Sequence, residues 1–204
     1  MTPKEHELDF WKGFIKTDRF LNGWVANTPT PELHQFVKDF FIERCPMGGT
    51  VLDIGSGVVS ILHGLNLGLL IIACDLLAEE YKEIFNYELH KIHPAYPIAG
   101  EELEFNAEFD FVHCSNALDH TTDPQLVFDN MVRALKPNGY IIVQGFENEA
   151  EHEKYQGMHQ HNLRVEDEKL VPIDTSAVDH FRSFRFENHY QGRTWFIWIG
   201  QKLQ

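Results

Sequence analysis

The chain has 204 residues, 43% of them hydrophobic, a length and apolar content that suit one soluble domain with a full core. Its 31 acidic and 17 basic side chains give a formal net charge of −14, which argues against nucleic acid or an anionic membrane surface as partner, because phosphate contacts need clustered Lys and Arg. The opening MTPKEHELDFW is charged, no apolar run reaches membrane-spanning length, and Cys45, Cys74 and Cys114 lack C-x-x-C spacing, so the expectation is a cytoplasmic protein with reduced thiols.

Thr2-Pro3 can cap a first helix in which Leu8, Trp11 and Ile15 fall near helical spacing. Asp18 to Pro29 reads as a loop. Thr30-Pro31 opens a second helix, with Leu33, Phe36, Val37, Phe40 and Phe41 on one face. Residues 1–49 are thus expected to form a helical cap over a sheet edge and part of a ligand mouth. Thr50 to Ser60, TVLDIGSGVVS, reads as strand, glycine turn and helix. Gly55 and Gly57 allow a sharp turn and a close ligand approach, and a helix after them would present free amides. LGLLIIACD is a second strand, apolar throughout as in a sheet buried on both faces, and it ends at Asp75. An acid about twenty residues beyond such a turn is placed to bind ribose hydroxyls, with Leu76 beside it.

Leu76 to His90 is predicted helical, and Tyr96 to Ala99 a short strand. FDFVHCS is a further strand, and Ser115 and Asn116 follow where a carboxyl-end loop meets a ligand. Asp123-Pro124 caps the next helix, with Val127, Phe128, Met131, Val132 and Leu135 inward. LKPNGYIIVQGF is a stop, a turn and a strand. The Glu- and His-rich ENEAEHEKYQGMHQHN is placed as a lid or acceptor loop. LRVEDEKLVPID reads as a small hairpin, and SFRFENHYQGRTWFIWIGQKL as two strands around Gln191-Gly192.

Four of these segments, in order, resemble the class I S-adenosylmethionine-dependent methyltransferases of type 11-like sequence: D-x-G-x-G from Asp53, the strand ending at Asp75, AGEELEFNAEFDFVHCSNALDH, and ALKPNGYIIV. The resemblance covers Thr50 to Phe146; the family's third glycine falls at Val59, and its frequent Asp at Ala99. It implies an α/β fold, a Rossmann-like three-layer sandwich with a mostly parallel seven-stranded sheet in the order 3-2-1-4-5-7-6 and an antiparallel C-terminal hairpin. The division implied is a single domain, with a cofactor core over 50–146 and an acceptor loop with closing strands over 147–204. It further implies S-adenosyl-L-methionine as cofactor, held by Asp53, Gly55, Ser56, Gly57, Asp75, Leu76, Gly100, Glu101, Ser115 and Asn116, with Gly100 and Glu101 beside the adenine.

Methyl transfer from a sulfonium chiefly needs donor and acceptor held in line, and a hydroxyl or amine acceptor must also lose its proton. His120 is the first candidate base, with Asp119 to orient it or act in its place. His159, His161 and Trp11 are candidate acceptor contacts. His152, His159 and His161 with Glu149, Glu151 or Glu153 match no zinc spacing, so no metal is expected. The absence of G-x-S-x-G and of GxxxxGK[ST] argues against hydrolase and phosphate-loop chemistry. The expectation is methyl transfer to a small polar acceptor such as a sugar or glycan precursor. The alternatives are a protein that binds S-adenosylmethionine or S-adenosylhomocysteine without turnover, and an NAD-dependent oxidoreductase.

Overall fold

The computed structural model describes residues 2–26, 35–65, 67–188 and 192–203. The predicted helix start at Thr30-Pro31, Leu33 and the turn residue Gln191 lie outside the described residues. Helix α1, Pro3–Phe14, begins in a capping box: Thr2 accepts from the Glu5 amide, and the Glu5 carboxylate accepts from Thr2. The expected loop after it contains a π-helical turn, Phe20–Trp24, that buries both of its aromatic ends. Helix α2, Gln35–Arg44, buries Val37, Phe40 and Phe41 as its spacing predicts, whereas Phe36, expected on the same face, is exposed and stacks on Phe184.

The sheet has six strands in the order β2-β1-β3-β4-β8-β7. Strands β1 (Thr50–Ile54), β2 (Leu70–Cys74), β3 (Phe109–Ser115) and β4 (Leu135–Phe146) run parallel. Strand β8 (Arg193–Lys202) pairs antiparallel with β4, and β7 (Val178–Asn188) antiparallel with β8. Seven strands were expected. The segment predicted as a strand at Tyr96 to Ala99 makes only one parallel bridge, Tyr96 to Cys74, on the outer side of β2. The small hairpin is present as β5 (Arg164–Glu166) and β6 (Lys169–Val171).

Two helix expectations fail. After Gly57 the chain makes bends and turns instead of a helix as far as Leu65. Val58, Val59, Ile61, Leu62 and Leu65 are all buried there, and the β-branched Val58, Val59 and Ile61 would lose χ1 freedom in a helix. The helix over 76–90 is divided into α3 (Ala78–Ile84) and α4 (Tyr87–His90) by an extended Phe85, after which Asn86 caps α4 by accepting from the Leu89 amide.

Side-chain alternation sorts the sheet into two cores. Leu52, Ile54, Val112, Cys114, Ile141 and Val143 face α5 (Pro124–Ala134), which supplies Val127, Phe128 and Met131. Val51, Phe111 and Ile142 face the other way, against Trp11, Phe20, Trp24, Phe40, Phe41 and Tyr81 of the helical cap and α3.

Candidate functional site

The carboxyl ends of β1 to β4 open onto one edge of the sheet. Gly55 and Gly57 turn there at φ of 64° and 67°, values only glycine adopts cheaply. The Gly55 and Ser56 amides donate to the Cys74 carbonyl at 2.9 and 3.2 Å, which ties the turn to the end of β2. Asp75 accepts from the amides of Gly57 and Leu77, each at 2.8 Å, one on each oxygen. It is buried, and that burial holds its carboxyl above the usual range against the opposing pull of the two amides. Leu76, next to it, is exposed.

Asp53, expected at the cofactor, turns inward instead. One oxygen meets His113 Nδ1 at 2.7 Å and the other accepts from Ser60 Oγ at 2.5 Å. His113 Nε2 then meets Gln144 at 3.1 Å. The three groups form a buried polar row across β1, β3 and β4, on the face covered by the cap. Glu101 is also occupied: Oε1 accepts from the Thr122 amide at 2.8 Å and from that of Asp123 at 3.3 Å. Asn130 donates to the carbonyls of Gly100 and Glu101, and a side chain at Gly100 would run into Val127. The pair therefore packs onto α5. Ser115 ends β3. Asn116 takes a positive φ of 50° and donates its amide to the Gln144 carbonyl at 2.7 Å.

Trp11, expected as an acceptor contact, lies against the glycine turn: its indole fills the space a side chain at Gly57 would need. Ala117 does the same at Gly55. One turn before Trp11, Glu7 reaches into the same region. Burial raises its carboxyl above the ordinary value, and the charge of Asp75 adds to the effect. The sequence held a sign of this, since Glu7 lies four residues before Trp11 on the apolar face of α1.

His120 and Asp119 do come together, with His159 from the loop after β4. His159 Nδ1 is 2.6 Å from Asp119 Oδ2 and 3.0 Å from His120 Nε2. Asp119 therefore orients His159, and its carboxylate stands 3.8 Å from His120. The loop is fastened at this point by the amides of Gln160 and His161, both donating to the Asp119 carbonyl. Burial pushes His120 down to about 4, against the pull of Asp119. Burial opposes protonation of His159 too, but its bond to Asp119 and the charges of Asp119, Glu149 and Glu153 prevail and raise it. Behind the pair, Arg193 on β8 binds Glu149 at 2.8 Å and Glu153 at 2.5 Å. Neither Arg193 nor the role of Glu149 was visible in the sequence, because 44 residues separate them.

A cleft of about 500 Å³ joins these parts. Thr2, Pro3, Lys4 and Glu7 of the N-terminal segment wall one side; Leu76, Leu77, His120, Thr121, Thr122, Met158, Gln160 and His161 wall the rest. His161 faces this space. The cleft therefore runs from the turn after Asp75 to His120.

Nucleoside chemistry fits this end of the sheet. Asp75 has lone pairs beyond the two its amide donors use, and Leu76 offers an apolar surface beside it. The glycine cradle itself is filled by the chain's own indole, so a cofactor lying in it displaces Trp11.

Residues 27–192 match the family described as methyltransferase domain. The "Ubiquinone biosynthesis O-methyltransferase" of Xylella fastidiosa strain 9a5c is 31% identical over 149 residues, covering 69% of this chain and 58% of that protein. The chain thus spans under two thirds of the length of the curated relatives it matches. The N-methyltransferase NodS of Bradyrhizobium japonicum WM9, in complex with S-adenosyl-L-homocysteine, superposes with a TM-score of 0.60 at 13% identity, covering 89% of this chain and 95% of that one. Phosphoethanolamine N-methyltransferase 2 of Haemonchus contortus, in complex with S-adenosyl-L-methionine, gives a TM-score of 0.60 at 15% identity over 97% of this chain and 60% of that one. At such identities the likeness is one of fold.

Proposed function

Because the chain belongs to the methyltransferase-domain family, whose matched stretch takes in all four parallel strands, we propose that it uses S-adenosyl-L-methionine to methylate a hydroxyl of a small molecule held against His120. The observation that carries this reading is the single cleft shared by Leu76 and Leu77, which follow Asp75, and by His120. The cofactor supplies a methyl group on a positively charged sulfur. The chain's part is to align and to remove a proton. Asp75 would hold the nucleoside, the cleft would fix the acceptor, and the Asp119–His159–His120 cluster would take the proton that the acceptor hydroxyl gives up on methylation.

An oxygen acceptor accords with the printed name of the Xylella relative. The sugar or glycan acceptor expected from the sequence rested on a polar loop free to bind hydroxyls. Here several of the loop's polar groups are bound within the protein, Glu149 and Glu153 to Arg193, His159 to Asp119, and the Glu151 amide to Asn162, while Gln160 and His161 face the cleft. Leu76, Pro3 and Met158 in the cleft wall suit an acceptor with an apolar body, such as a phenol. The oxidoreductase alternative lacks support, since the family and the antiparallel close of the sheet both point elsewhere. The indole on Gly57 does not favour the non-catalytic alternative, because a cofactor must displace it in a binder and in an enzyme alike.

The test is a titration with S-adenosylmethionine, S-adenosylhomocysteine and NAD, followed by turnover on a catechol and a hexose. A ligand at a hundred times its Kd stabilises by about 2.7 kcal/mol, so S-adenosylhomocysteine should raise the melting temperature and NAD should not. Methylated catechol should appear, and His120→Ala should lower turnover about a hundredfold with cofactor affinity intact. A larger shift with NAD overturns the cofactor assignment. Cofactor binding without methylated product from either acceptor favours the binder.

A further inference from the structure

Asp119, His120 and His159 hold three ligating atoms in one small volume: Oδ2, Nε2 and Nδ1, separated by 2.6, 3.0 and 3.8 Å. They are the set among the described residues whose donor atoms all lie within 4.8 Å of one another. Hydrogen bonding does not account for all of this convergence. His159 Nδ1 carries at most one hydrogen, yet it approaches both a carboxylate oxygen and an imidazole nitrogen. One hydrogen satisfies one of them well. A cation at the centre satisfies all three.

From this geometry we propose that Asp119, His120 and His159 bind one borderline divalent cation, Zn²⁺ first among them. Ligand distances of about 2.1 Å place neighbouring donors about 3.4 Å apart in a tetrahedral set, so the cluster needs to open by about 0.8 Å at Asp119–His159 and about 0.4 Å at His120–His159, and to close by about 0.4 Å at Asp119–His120. Two imidazoles and one carboxylate are the donors that zinc, iron and nickel prefer over magnesium or calcium. Three protein ligands with a fourth position open is the arrangement of a working metal site rather than a purely structural one, and here His120 also borders the cleft.

The surroundings supply a second, independent observation. Each histidine turns its other nitrogen toward a carboxylate: His120 Nδ1 lies 3.8 Å from Glu7, and His159 Nε2 lies 3.5 Å from Glu149. Neither contact is a hydrogen bond as it stands, but each carboxylate lies on the side from which it would fix the tautomer that leaves the inner nitrogen free for the metal once the imidazole shifts toward it. Glu149 is itself 6% exposed, and its Oε2 has no hydrogen-bond partner among the described residues. A buried carboxylate oxygen in that condition is costly, and a nearby cation reduces the cost. The cation's use rests on the reading that an acceptor hydroxyl sits beside His120: the open position would polarise that oxygen, and with the cation bound the hydroxyl proton would pass to water instead of to the ligating imidazoles. The cation's binding does not rest on it.

The test uses the full chain, stripped with a chelator and titrated with Zn²⁺ by calorimetry and with Co²⁺ by its visible ligand-field absorption. The expected result is one ion per chain. His120→Ala and His159→Ala should each weaken binding about a hundredfold, and Glu149→Gln about tenfold as a residue behind the ligands. His152→Ala, an exposed histidine on the same loop, should bind as the parent does. Circular dichroism of each variant separates lost ligands from lost folding, and the Co²⁺ spectrum reports imidazole ligation even in a destabilised variant. No binding by the folded parent, or parent-like affinity in folded His120→Ala and His159→Ala, overturns the proposal. Metal binding without any methyl transfer would leave this site standing and sink the preceding reading. Full methyl transfer by a metal-free, non-binding protein would do the reverse.

Discussion

At the scale of single residues the acidic side chains divide by what faces them. Asp53 was legible as a motif carboxylate but not as a core one, because its partners His113 and Ser60 are supplied by a strand and a turn that the motif does not mention. Removing it leaves a buried imidazole without its acceptor, so Asp53→Ala should cost about 3 kcal/mol in urea unfolding. The affinity of the protein that remains folded for S-adenosylhomocysteine should stay within about threefold of the parent, since each change of 1.4 kcal/mol would be tenfold. Glu7 behaves in the opposite way. Burial and Asp75 raise its folded-state pKa above 4.5, so the folded chain holds this proton more tightly than the unfolded one. Its contribution is therefore favourable only below the unfolded value and is lost as pH rises through the folded one. In chelated protein, Glu7→Gln should raise the melting temperature at pH 8, by roughly 2–4 °C for each kcal/mol recovered, and leave it unchanged near pH 4.5. Equal shifts at both pH values would show that the carboxyl titrates normally.

At the scale of elements the decisive contact is between α1 and the turn after β1. The sequence announced both pieces, a capped amphipathic helix and a glycine turn. It could not announce that the helix lies on the turn, because residue spacing carries no information on which apolar face meets which. It also misled at Val58 to Leu65, where glycine followed by apolar residues has the same pattern in a helix start and in a buried bend. Gly57 and Gly68 separate contact from conformation. Their φ angles are 67° and 68°, but a side chain at Gly68 meets open space and one at Gly57 meets Trp11. Gly68→Ala should show only the backbone strain, about 1 kcal/mol. Gly57→Ala should cost more, and a Trp11→Ala background should remove most of that excess in a double-mutant cycle of melting temperatures. The same contact gives an optical signal. A cofactor entering the glycine cradle moves the indole, so S-adenosylhomocysteine should change tryptophan fluorescence in the parent, and much less in Trp11→Phe.

At the scale of the whole molecule the parallel strands and the closing hairpin have separate histories in the sequence. Strands β1 to β4 could be located from apolar runs punctuated by Gly, Pro and Asp, and the proposed nucleoside end of the site came with them, because Asp75 follows β2. The proposed acceptor end was only half legible: His120 and His159 could be named singly, but their meeting depends on a loop folding back from β4, and Glu149 and Arg193 lie 44 residues apart. That long-range tie joins the loop after β4 to the last strand. Arg193 is 14% exposed and Glu149 7%, so the pair is largely out of water. Burial already holds Glu149 near 7 with the guanidinium beside it; without Arg193 the carboxylate would be stranded in an apolar setting. Arg193→Leu should therefore destabilise the fold at pH 8 by about 3–5 kcal/mol. The loss should shrink toward pH 5, where Glu149 takes up a proton, and Arg193→Leu with Glu149→Gln should recover most of the deficit at pH 8. Urea unfolding of the parent, the two single variants and the double variant at both pH values measures each of these terms. A deficit independent of pH, and untouched by Glu149→Gln, would place the contribution of Arg193 in its packing over Phe146, 5.9 Å from the ring centre, rather than in its charge.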